Sequence, residues 1–206
     1  MAQPCFQKVQ KIIHFYKNQL PPVRWLFWFV VGILTLSFIF APEPQPVDWD
    51  TYQSKTTADS RMYFHNIRSF YYYRYPEEKP PMVLYRFKER EKDSSRVQMY
   101  FTIVQNVLTD EVFTVLEWRN LPAKKENLQL YALTEKDTNV LSINYLNAQG
   151  EYEIASVVYN TLQQEGRFYL AAKNKKPEGV LETSRQRKVA KTVLTDYFKL
   201  INKLKN

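Results

Sequence analysis

Between Trp25 and Ala41 the chain reads WLFWFVVGILTLSFIFA, seventeen uncharged residues in which only Gly32, Thr35 and Ser37 depart from strong hydrophobicity. A run of this kind has two stable destinations, a protein interior or the hydrocarbon of a bilayer. At 1.5 Å rise per residue it spans about 25 Å, slightly under a hydrocarbon core of about 30 Å. The flanks favour the bilayer, because Arg24 can snorkel, Trp25 and Trp28 suit the headgroup level, and a proline-spaced stretch follows at once. The sequence therefore predicts a transmembrane signal anchor over residues 25–41.

Charge sets the expected orientation. Lys8, Lys11, Lys17 and Arg24 precede the run without an acid, whereas Glu43, Asp48, Asp50 and Asp59 follow it with only Lys55 opposing. By the positive-inside rule residues 1–24 form a basic cytoplasmic tail, and the C-terminal part lies in the periplasm or another extracytoplasmic space, tethered to the inner membrane. Cleavage as a signal peptide is the rival. It is disfavoured by the long basic region and by a best site with Ile39 at −3, Ala41 at −1 and Pro42 after the cut. Within the tail, Phe6, Val9, Ile12, Ile13 and Tyr16 recur near helical spacing, as in a short helix lying on a membrane surface.

Hydrophobic residues at 45% and charged residues at 24% are those of a packed protein, which argues against wholesale disorder. The 206 residues leave room for one ordinary domain after the anchor. Cys5 is the single cysteine, so the rest of the chain closes no disulfide and rests on core packing. No Asn-x-Ser/Thr acceptor occurs, which together with the missing disulfides leans towards a bacterial envelope. The net charge of +8 sits at the ends of the chain: the last 34 residues hold 10 basic and 3 acidic side chains, and the middle is nearly neutral.

Residues 42–58, opening with a proline-spaced stretch, read as an extended stalk, and residues 59–206 as one domain. Alternation of period two marks Val97–Val104 and Glu111–Trp118 as a hairpin about a Thr109-Asp110 turn. Leu128–Leu133, Val140–Leu146, Tyr152–Thr161 and Arg167–Ala172 continue the strand series, with Asn147–Gly150 and Glu165-Gly166 as turns. Met82–Lys88 is a further strand, followed by a charged loop over Glu89–Arg96. Arg61–Tyr75 reads as a long or bent strand, with a helix begun at Asp59-Ser60 as the alternative. A helix over about residues 182–205, capped by Thr183 or Ser184, gathers Val189, Val193, Tyr197, Leu200, Ile201 and Leu204 on one face. The expected fold class is α+β: an antiparallel meander of about six to eight strands with the C-terminal amphipathic helix packed on it.

Chemistry is sparse. His65 is the only histidine after the apolar run, no thiol accompanies it, and no nucleophile elbow, Walker loop, dinucleotide fingerprint or His-Glu-x-x-His motif is present. With 4 glycines in the whole chain, phosphate-cradling loops have little to build on. Glu111 and Glu117 share a strand face and are the nearest approach to paired carboxylates, though as solvated strand residues they need no catalytic role. No cofactor and no metal is expected.

Two surfaces remain. Arg68, Tyr71, Tyr72, Tyr73 and Arg74 stand in a segment dense in tyrosine and arginine, the pairing enriched at protein interfaces and able to stack on sugars. Consecutive tyrosines in a strand point to opposite faces, so Tyr71, Tyr72 and Tyr73 cannot all enter one core. Lys188, Lys191 and Lys199 lie on the basic face of the last helix, suited to solvent, anionic lipid or an acidic partner. The expectation is a non-enzymatic, membrane-anchored accessory or scaffold subunit docking other envelope or inner-membrane proteins, with glycan or peptidoglycan binding as the alternative and a carboxylate hydrolase as the third reading. Nucleic acid is excluded as a partner by the expected topology.

Overall fold

The computed structural model describes residues 21–39, 49–77, 81–90, 96–121, 128–143, 147–172 and 176–204. The amphipathic tail with Cys5, the proline-rich part of the expected stalk up to residue 48 and residues 91–95 of the charged loop lie outside them. The chain divides into two compact units, Met1–Pro46 and Val47–Asn206.

In the first unit, helix α1 spans Pro21–Ile39. Its first turn is Pro-Pro-Val-Arg, so the uncharged stretch within it, from Trp25 to Ile39, is only fifteen residues. That rises about 22 Å, well short of a hydrocarbon core of about 30 Å. Among the described residues no helix is long and apolar enough to cross a membrane. The membrane span assigned to residues 25–41, its anchoring by Arg24, Trp25 and Trp28, and the inner-membrane location with a periplasmic domain are therefore overturned. Trp25 and Trp28 are exposed on α1.

The second unit is α+β. The described residues hold two antiparallel sheets of four strands each, in place of the single meander expected. The first sheet orders β1 (Tyr72–Glu77), β2 (Met82–Phe87), β3 (Gln98–Asn106) and β4 (Val112–Arg119) consecutively. The β3–β4 hairpin turns through residues 107–110, where the Asn106 side-chain oxygen accepts from Leu108 N at 2.9 Å and Asp110 takes φ 56°. Alternation puts Val83, Tyr85 and Phe87 of β2 and Val112, Thr114 and Leu116 of β4 into the core, leaving their neighbours half-buried. The second sheet orders β6 (Thr138–Ser142), β5 (Leu128–Leu133), β7 (Arg167–Ala172) and β8 (Glu178–Val180).

Among the described residues three α-helices complete the unit: α2 (Ala58–Tyr63), α3 (Ala148–Gln163) and α4 (Ser184–Leu200). Helix α3 replaces the strand expected over Tyr152–Thr161. Asn147, read as a turn, is its N-cap and accepts from Gly150 N at 2.8 Å. Tyr152, Ala155, Val158, Tyr159 and Leu162, three and four apart, form its buried face. The β-branched run Val157-Val158 imitates a strand locally, but the cap and the 3.6 period prevail.

The tyrosine-rich segment is not one long strand either. Thr57 and Ser60 form a capping box that opens α2. The chain continues as a π-helical turn over Phe64–Arg68 and a 3₁₀ turn over Ser69–Tyr71 before β1 begins. Ser60 is buried and donates its hydroxyl to Leu200 O at 2.7 Å, tying α2 to the end of α4. Helix α4 opens at Thr183, which forms a second capping box with Gln186, and it buries Val189, Val193, Tyr197 and Leu200. Trp49 and Tyr52, within the expected stalk, pack on this core: Trp49 meets Phe198 edge-on at 4.8 Å and Tyr52 meets Tyr152 at 5.5 Å. One hydrophobic cluster runs through both sheets, α3 and α4.

Candidate functional site

The sequence placed Arg68, Tyr71, Tyr72, Tyr73 and Arg74 on one segment and Lys188, Lys191 and Lys199 on another. The fold joins these two segments at a buried carboxylate. Arg68, in the π-helical turn, donates Nε–H to Asp196 Oδ1 at 2.8 Å and Nη2–H to Oδ2 at 3.0 Å. Tyr72, the first residue of β1, donates its hydroxyl to the same Oδ2 at 2.6 Å. Asp196 is 4% exposed, so a bidentate pair and a phenol together satisfy a carboxylate that could not otherwise sit there. The hydrogen bond to Asp196 raises the pKa of Arg68, and burial beside this carboxylate holds the Tyr72 phenol well above its usual value. Arg68 and Tyr72 thus position elements.

Tyr71, Tyr73 and Tyr75 remain on the outside, each under a cation. The Arg68 guanidinium stands 4.9 Å from the Tyr71 ring centre, the Lys88 ammonium 5.6 Å from Tyr73 and the Arg86 guanidinium 5.1 Å from Tyr75. Tyr73 and Tyr75, two apart in β1, share a face, and Arg86 stands opposite Tyr73 in the β1–β2 register. Arg74 is exposed on the other face, opposite Tyr85. Burial, and then the charges of Arg74 and Arg61, lower the pKa of His65. Between Met62 and Tyr75, six large side chains are 44% to 71% exposed: Met62, Ile67, Phe70, Tyr71, Tyr73 and Tyr75. These side chains leave a large apolar and aromatic area of the segment open to solvent.

Beside the clamp, Tyr63, Arg68, Lys191, Thr192, Thr195, Asp196 and Lys199 line an open groove of about 390 Å³. Lys199 lies with its ammonium 5.2 Å from the Tyr63 ring centre. Arg68, Lys191 and Lys199 are thereby brought together, whereas Tyr73 and Arg74 do not line the groove. Lys188 is exposed near Glu89, at 3.7 Å, and borders a neighbouring hollow shared with Lys191 and Arg187.

Sequence reasoning missed Asp196, and its position carried a signal. It follows Val189 by seven residues, two helical turns, and so falls on the apolar stripe of α4. A carboxylate there requires a cation from outside the helix. Also unforeseen was the cluster on the half-buried face of the first sheet. Arg90 Nη1 meets Glu117 Oε2 at 2.6 Å, Arg86 Nε meets Oε1 at 3.0 Å, and Arg90 Nη2 donates to Phe101 O at 2.6 Å. Burial pushes the Glu117 carboxyl up, but Arg90, Thr102 and Arg86 outweigh it and hold the pKa below the ordinary value. This carboxylate stays ionised and is a poor proton donor. Glu111 stands six residues away along an extended chain, about 20 Å, beyond the separation of about 5–9.5 Å that paired glycosidase carboxylates require.

Among the described residues no group of three or more His, Cys, Asp or Glu side chains is placed to hold a metal ion. No protein family, curated protein or solved structure matches the chain. What the arrangement offers chemically is surface: exposed aromatics under cations, and a basic groove next to them.

Proposed function

We propose that this chain is a non-enzymatic docking or scaffold subunit of a protein complex, engaging its partners through the face that runs from Met62 to Tyr75. The observation that carries this reading is the exposure of six large apolar and aromatic side chains within those fourteen residues. Removing such surface from water is the main drive for protein association, and tyrosine with arginine is the composition that interface cores favour. The segment is also well held, since Ser60 and Arg68 fasten it to α4 and Tyr72 fastens it to Asp196. A pre-ordered face loses little entropy on binding.

Glycan recognition is the weaker reading. Sugar stacking needs a free ring face, and one face of each of Tyr71, Tyr73 and Tyr75 is already taken by a cation of the same chain. A photo-crosslinking amino acid in place of Phe70, compared with one in place of the exposed Glu153 on α3, tests the docking reading in cells of the native host. Discrete adducts with another protein are expected from position 70 and not from position 153. Recovery of only the uncrosslinked chain from both positions would overturn it.

A further inference from the structure

We infer that the groove between the Tyr63–Arg68 segment and α4 receives an extended acidic peptide segment of a partner protein, its carboxylates pairing with Lys191 and Lys199. The inference rests on the docking reading and names a chemistry for one contact within it.

Charge is the first reason. Of the groove's ionisable groups, Arg68 and Asp196 are engaged with each other, and both Asp196 oxygens already accept hydrogen bonds. Lys191 and Lys199 form no salt bridge among the described residues, so the groove holds two cations in excess. Arg68, which lines the groove, commits Nε and Nη2 to Asp196 and retains Nη1 as a further donor.

Spacing is the second reason. Lys191 and Lys199 are eight residues apart on α4, about 12 Å along its axis. Carboxylates four residues apart in an extended peptide lie about 13 Å apart on one face. A single phosphate calls instead for converging donors, and a helix N-terminus is where they gather. Lys199 stands in the last turn of α4, where the dipole welcomes the lysine and repels a bare anion that does not reach its ammonium. A stacked nucleobase is disfavoured too, because Lys199 lies over the ring of Tyr63.

The test is fluorescence anisotropy on the full chain, with a labelled neutral extended peptide carrying two glutamates four residues apart and its counterpart with two glutamines. The glutamate peptide is expected to bind about tenfold more tightly than the glutamine peptide, and more weakly as salt is raised. The pair K191Q/K199Q should abolish that preference. K136Q, in the β5–β6 turn, should leave it within about twofold. Equal binding of the two peptides, or a preference that survives K191Q/K199Q, would overturn the inference. So would tighter, equally lysine-dependent binding of a short single-stranded oligonucleotide or of phosphatidylglycerol–phosphatidylcholine vesicles. Circular dichroism checks that the variants are folded. Crosslinks from position 70 that persist while the peptide preference is absent would remove this inference and leave the docking reading standing.

Discussion

At the scale of single residues, this protein assigns its buried charges to structure. Glu117 is held ionised between Arg90 and Arg86, with Arg90 itself 7% exposed and fastened to the Phe101 carbonyl and the Thr102 hydroxyl. Its folded pKa lies below the ordinary value of 4.5, so its contribution to stability is fully present above that value and is lost as pH falls through the folded pKa. Glu117→Gln should therefore destabilise the fold at neutral pH and flatten the loss of stability in acid. Urea midpoints for wild type and variant at about pH 7 and about pH 3 measure this, with the gap between them expected to narrow at the lower pH. A gap of unchanged size would mean that the carboxylate charge does nothing here. Arg90, Thr102 and Glu117 come from three stretches of chain, and no local pattern announces their meeting.

At the scale of elements, the decisive join is between the tyrosine-rich segment and α4. Helix α2 is six residues long and the π-helical turn five, too short to persist alone. They are held by Ser60 on the Leu200 carbonyl, by Phe64 against Tyr72 and Tyr85, and by Arg68 on Asp196. Asp196→Ala leaves the Arg68 guanidinium, 23% exposed, without its counter-charge, and leaves the Tyr72 hydroxyl buried without an acceptor. The expected loss is about 3 kcal/mol, read from chemical denaturation. The docking face should loosen with it, seen as faster amide exchange over residues 58–75. A loss well under about 1 kcal/mol would show that the clamp is incidental. The same logic explains why this segment misled: seven aromatics in fifteen residues favour a strand by propensity, but the Thr57–Ser60 capping box and contacts to a helix over a hundred residues away select a helical entry.

At the scale of the whole molecule, the unit Val47–Asn206 has two sheets but one core. Buried residues of β2 to β5, β7, α3 and α4 belong to a single cluster. Glu151 on α3 accepts from Leu116 N at 2.9 Å, so this helix also closes the outer edge of β4. Neither sheet has an interior of its own to retain. Denaturant unfolding of this unit should accordingly be one transition, with tryptophan fluorescence from Trp49 and Trp118 coinciding with far-ultraviolet circular dichroism. Two separated transitions would show that the sheets are independent domains.

Strands whose pattern is local were legible beforehand: β2, β4, β5 and β7 alternate residue by residue, and β3 was found as the hairpin partner of β4 although the fold buries it on both faces from Gln98 to Val104. The amphipathic face of α4 was equally plain, because a period of 3.6 sustained over seventeen residues has one physical meaning. Legibility stopped where a residue's role depends on a partner far along the chain. Tyr72 and Arg68 looked like surface and are fasteners, Asp196 drew no reading and is their anchor, and α3 looked like a strand until its cap and buried face were in place. The apolar run at Trp25–Ala41 carried its composition openly, but where its helix begins and ends, and hence how far it reaches, is fixed by backbone geometry. Local chemistry chooses periodicity, turns and caps, while the pairing of buried charges and the division into two sheets are settled only when distant segments compete for the same core.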